Sequence, residues 1–89
     1  MKAQYHSAEE RAAALTEIWR QVLGKPDLDE SSDLFDHGGS SLHVLQIVGE
    51  VHDRLGANVK LRNVFRNPSP VLLADFLASQ ADSETAPRP

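Results

Sequence analysis

Residues 33–42 read Asp33-Leu34-Phe35-Asp36-His37-Gly38-Gly39-Ser40-Ser41-Leu42. An acidic loop ends here in a glycine pair, and a serine pair opens an amphipathic run. Serine is a favoured helix N-cap, so a helix is expected to start at this point. The glycines carry no side-chain bulk, so another protein or a bulky group can approach the backbone closely. A helix mouth offers unpaired N–H groups and positive partial charge. An anion such as a phosphodiester is favoured there. If Ser40 takes the cap, the Ser41 hydroxyl is left free. A serine at this mouth, Ser40 or Ser41, is the candidate functional residue, with Gly38 and Gly39 in its supporting loop.

C-terminal to the serines, the pattern predicts a helix from about Ser41 to Leu55, stopped by Gly56. Val44, Ile47, Val48, Val51 and Leu55 make its wide core-facing side. Leu42, Leu45 and Gly49 form a second strip nearest Ser41. That strip is either core covered by the loop or a docking surface beside Ser41; Leu42 is expected to be exposed, and Leu45 is left open. Gly49 costs roughly 1 kcal/mol relative to alanine inside a helix, which a close approach by a partner or ligand would justify.

On the other side, residues 25–40 lack a clean period and hold Asp27, Asp29, Glu30, Asp33 and Asp36. Leu28, Leu34 and Phe35 are expected to pin this loop to the bundle. So long a connection in a small domain is functional or disordered, and the apolar anchors favour order and function. Before it, Ala8, Ala12, Leu15, Trp19, Val22 and Leu23 fall on one helical face. Ser7 and Glu10 fit a capping box at the start of that helix. Gly24 and Lys25-Pro26 end it. Beyond Gly56, Leu61, Val64 and Phe65 suggest a short third helix that Asn67-Pro68 breaks. Ser69 caps a fourth helix with Pro70 in its first position. Leu72, Leu73, Phe76 and Leu77 give its stripe. The reading is all-α: a four-helix bundle with a short third helix and a long loop between helices 1 and 2. Residues 1–6 are read as a flexible segment, 7–78 as the domain, and 79–89 as a disordered tail or linker stub.

The chain has 89 residues, which leaves room for one domain and a limited core, not for a deep walled active site. It has no cysteine, so no disulfide framework and no thiolate metal site is possible. The net charge of −4 argues against general nucleic-acid binding and suits partners with basic docking surfaces. No apolar run approaches a membrane span, and residues 1–7 lack a signal-peptide core. A cytoplasmic protein is expected.

Other chemistries fit poorly. A nucleophile-elbow hydrolase wants Gly-x-Ser-x-Gly between a strand and a helix, whereas Leu42-His43 follows Ser41 and no strand precedes it. His6, His37, His43 and His52 make no i, i+4 pair, so no helical metal site is indicated. The acids fail as a calcium loop: Ser32 stands where the turn glycine belongs, and Gly38 where the bidentate glutamate belongs. The glycine-serine stretch lacks the lysine and spacing of a P-loop.

The chain resembles the phosphopantetheine-dependent carrier proteins, most closely the peptidyl carrier (thiolation) domains of nonribosomal peptide synthetases. Asp33, Phe35, Gly38, Gly39, Ser41 and Leu42 match that family's acid-x-Phe and Gly-Gly-x-Ser-Leu pattern. Leu61-Arg62-Asn63-Val64-Phe65 and Pro68-Ser69-Pro70-Val71 look like its third- and fourth-helix signatures. The resemblance covers about residues 8–78. It departs at His37, where a large apolar residue is usual, and at Ser40, where histidine or aspartate is usual.

The resemblance implies a non-catalytic carrier with 4'-phosphopantetheine, taken from coenzyme A, attached covalently to Ser41. A phosphopantetheinyl transferase would modify it, an adenylation enzyme load it, and condensation or tailoring enzymes unload it. The arm would supply the thiol that the chain lacks. Leu42, Leu45 and Gly49 would face these partners, and the protein would act as a monomer. An acyl carrier of polyketide or fatty-acid type is the nearest alternative. An unmodified helical adaptor is the alternative from another class.

Overall fold

The computed structural model describes residues 8–85, which form α1 (Ala8–Leu23), α2 (Ser41–Leu55), α3 (Leu61–Arg66) and α4 (Pro70–Thr85). A single 3₁₀ turn, Phe35–His37, interrupts the connection between α1 and α2, and no strand occurs among the described residues. The expected all-α bundle with a short third helix is the architecture observed. α1 packs on both α4 and α2, and α2 packs on α3.

The core follows the helical period. Ala12, Leu15 and Trp19 are buried along α1, joined by Ile18, while Val22 and Leu23 pack at its edge. Val44, Ile47 and Val51 are fully buried on α2, with Val48 and Leu55 flanking them. Gly24 ends α1 in the left-handed conformation, and the Lys25 N–H reaches back to the Arg20 carbonyl at 3.0 Å. The capping box expected at the head of α1 involves Ser7, which lies outside the described residues.

Two sequence expectations need correcting. Leu72 is 45% exposed, and Ala74 takes the place it was expected to fill beside Leu73 and Leu77. The wheel alone could not say which of two adjacent leucines faces α1. Phe35 pins the loop to the bundle as expected, though from the surface: it is 37% exposed, and its ring stacks on that of Phe65 in α3, centroids 5.4 Å apart and 7° from parallel. Last, α4 continues to Thr85, past residue 79 where the tail was expected to begin. Nothing from Ala78 to Thr85 breaks a helix, and the first proline beyond is Pro87.

The long loop is ordered by hydrogen bonds as well as by apolar anchors. Leu28 and Leu34 are buried. The Arg20 Nε donates to the Leu28 carbonyl at 2.9 Å. The Val71 N–H donates to the Glu30 carbonyl at 2.9 Å, tying the loop to the start of α4. The Pro68 carbonyl accepts from both the Leu34 N–H (2.8 Å) and the Trp19 indole N–H (3.0 Å). One oxygen thus joins α1, the loop and the α3–α4 junction. Within the loop, the Asp29 carboxylate accepts from the Ser31 hydroxyl and N–H and from the Ser32 hydroxyl. Those bonds hold its carboxyl below the usual carboxylate range.

Candidate functional site: the mouth of α2

The site is assembled from the loop inward. Asp33 Oδ1 accepts the N–H groups of Phe35 (2.8 Å) and Asp36 (3.2 Å), capping the 3₁₀ turn. His37 Nδ1 lies 3.0 Å from the Asp33 carbonyl, within the same turn. The turn then ends at Gly38, whose φ of +86° is the left-handed region that side-chain-bearing residues avoid. Gly39 is constrained differently. A Cβ there would lie 2.5 Å from Leu34 Cγ and 2.6 Å from the Leu34 carbonyl oxygen. The Gly39 N–H in fact bonds that oxygen at 2.9 Å. The pair was expected to clear space for an approaching group. The structure gives each glycine an internal cause instead, though the space around Gly38 is also open.

Ser40 is the N-cap of α2, extended at φ −127° and ψ 177°. Its carbonyl accepts the first helical bond, from the Val44 N–H at 3.0 Å. Its own N–H donates to His43 Nδ1 at 2.9 Å, and its hydroxyl lies 3.1 Å from the same nitrogen. This is a capping box with imidazole in the place usually held by a carboxylate or amide. Sequence reasoning gave His43 no part in this site. The signal was present in the sequence as Ser-x-x-His at box spacing.

Ser41 is the first residue of α2, and its side chain is exposed. Because the first helical donor is Val44, the N–H groups of Ser41 and Leu42 have no partner further back in the helix. The first turn holds no acidic side chain. An exposed hydroxyl, unpaired donors and the absence of nearby negative charge on this turn suit an anionic phosphodiester.

The expected docking residues lie on the same side. Leu42 is 64% exposed and Leu45 56%, so the strip is surface and not core. Gly49 is exposed, and a Cβ there would meet nothing within 4 Å. Among the described residues no cluster of metal-ligating side chains forms, and no helix is long and apolar enough to cross a membrane.

Comparison with known proteins assigns the class. Residues 13–77 match the family described as the phosphopantetheine attachment site. The chain belongs to that family, whose members carry covalently attached 4'-phosphopantetheine. Its relatives narrow the class to carrier domains homologous to those of nonribosomal peptide synthetases. It is 36% identical over 90 residues to an isonitrile lipopeptide synthase of Streptomyces coeruleorubidus, covering 98% of this chain and 6% of that protein. It is 37% identical over 83 residues to the nonribosomal peptide synthetase agiA of Aspergillus flavus, covering 92% of this chain and 1% of that one. The chain thus spans only a small part of either relative. A solved nonribosomal PCP domain superposes with a TM-score of 0.67 at 32% identity, covering 73% of this chain and 83% of that one.

Proposed function

We propose that this chain is a non-catalytic peptidyl carrier whose 4'-phosphopantetheine arm is joined to Ser41 Oγ. The observation that carries the assignment is the division of labour between the serines: Ser40 takes the cap, and Ser41 is exposed at the first helical position. In the modification, Ser41 Oγ forms a bond to the phosphorus that bears the pantetheine arm of coenzyme A. The pyrophosphate P–O bond breaks, adenosine 3',5'-bisphosphate leaves, and the serine proton passes to a base of the transferase. The chain needs no base of its own, because the modifying enzyme supplies one. Once attached, the arm provides a thiol that holds an aminoacyl or peptidyl group as a thioester.

The carrier unit takes in all four helices, residues 8–85, and the family match at 13–77 lies within it. Leu42, Leu45 and Gly49 are the docking strip, supported by the exposure of both leucines beside Ser41. The partners that fit are a phosphopantetheinyl transferase, an adenylation enzyme, and condensation or tailoring enzymes. The protein works in the cytoplasm as a monomer, as suits a small carrier visiting each in turn.

A direct experiment is to incubate the chain with coenzyme A, magnesium and a broad-range transferase, then weigh it. The wild type should gain one arm and Ser41→Ala none. An unmodified wild type would point to a helical adaptor instead. The arm-bearing form should then be aminoacylated by an adenylation enzyme. Acceptance only of fatty-acyl groups would assign it to the acyl carriers.

A further inference from the structure

We propose that His43 is the positioning residue for Ser41, fixing the direction in which the hydroxyl is presented to the modifying enzyme. The inference rests on Ser41 being the attachment point. Ser41 has little else to hold it. It is exposed, Leu42 beside it is exposed, and the buried residues of α2 begin only at Val44. A first-position residue also makes no helical N–H bond of its own. Its geometry is therefore set by its neighbours. On the loop side, Gly39 is locked to buried Leu34 through the 2.9 Å bond to the Leu34 carbonyl. On the helix side, Ser40 is held by two bonds: Val44 N–H to its carbonyl (3.0 Å), and its own N–H to His43 Nδ1 (2.9 Å). Without the second bond, the first turn is closed only through Val44, and an exposed helix end with few restraints frays.

The chemistry of the imidazole also matters. To accept from Ser40, Nδ1 must be unprotonated, which places the ring proton of the neutral tautomer on Nε2. His43 thus supplies the acceptor that a capping box needs without adding negative charge to the turn where a phosphodiester is to form. The Ser40 hydroxyl lies 3.1 Å from the same nitrogen, so the ring sits over the cap residue, one position before Ser41 in sequence.

The test compares wild type, His43→Ala and His43→Gln as substrates of a broad-range transferase with coenzyme A at 25 °C, once circular dichroism has shown each to be folded. His43→Ala should raise the KM for the carrier about three- to tenfold, matching loss of a cap worth roughly 1 kcal/mol, with kcat within about twofold. His43→Gln should return the KM to within about twofold of wild type, because a glutamine oxygen can accept the same N–H. Nitrogen NMR of the wild type should show Nε2 protonated and Nδ1 accepting. A wild-type KM in His43→Ala, no rescue by glutamine, or a protonated Nδ1 in the neutral ring would each overturn the proposal. Thermal unfolding separates a purely structural role, which would lower Tm in His43→Ala and leave KM unchanged. A wild type that gains no arm sinks the attachment reading itself; a wild type modified no faster than His43→Ala sinks only the role of His43.

Discussion

Gly38 and Gly39 are adjacent, yet different physics requires each. Gly38 is needed for its left-handed backbone, Gly39 for the absence of a Cβ against Leu34. The sequence shows the pair but not the second reason, because Leu34 meets Gly39 only after the loop has folded over its own 3₁₀ turn. Gly39→Ala should therefore force Leu34 or the loop to move, costing about 1–3 kcal/mol as an overpacked site does. Urea unfolding should show a lower midpoint with an unchanged slope. An unchanged midpoint would mean that the loop yields freely. That Ser40 takes the cap and leaves Ser41 exposed was legible earlier, since capping is chemistry among near neighbours. The role of His43 was equally local, in a box written with an unusual residue.

Along α2 the two apolar sectors read from the wheel separate cleanly. Val44, Ile47 and Val51 are sealed, whereas Leu42 and Leu45 face out. Periodicity gave the sealed face directly. It could not place Leu45, because that depended on whether the loop covers it, and the loop instead anchors through Leu28 and Leu34. Gly49 follows from the same geometry. No neighbour within the chain needs its small size. Gly49→Ala should thus raise stability by about 0.5–1 kcal/mol, seen as a higher Tm. If a partner closes on this strip, the same variant should be loaded more slowly by the adenylation enzyme. Higher Tm with unchanged loading would remove Gly49 from the docking strip. α3 is bounded by Asn67-Pro68 as the sequence suggested, but its Phe65 serves the Phe35 stack and not the core.

For the whole domain, the central joint is the Pro68 carbonyl, which gathers Trp19, Leu34 and the α3–α4 junction. The amphipathic pattern predicted a buried Trp19, but nothing in it specified a partner 49 residues away. Buried indole N–H groups find acceptors, so the contact was foreseeable only in kind. Trp19→Phe removes that donor and leaves a gap, while Pro68 still accepts from Leu34. A loss of about 1–3 kcal/mol is expected from the missing bond and volume together. Denaturant unfolding measures it, and a loss below about 0.5 kcal/mol would show that the joint is held by Leu34 alone.

All of this architecture converges on one oxygen held outside the bundle at the head of α2. The decisive measurement is fragmentation mass spectrometry of the transferase-treated wild-type chain, reading which serine bears the arm. The account predicts that every modified fragment places phosphopantetheine on Ser41. Finding it on Ser40, or finding no modified fragment at all, would contradict the account.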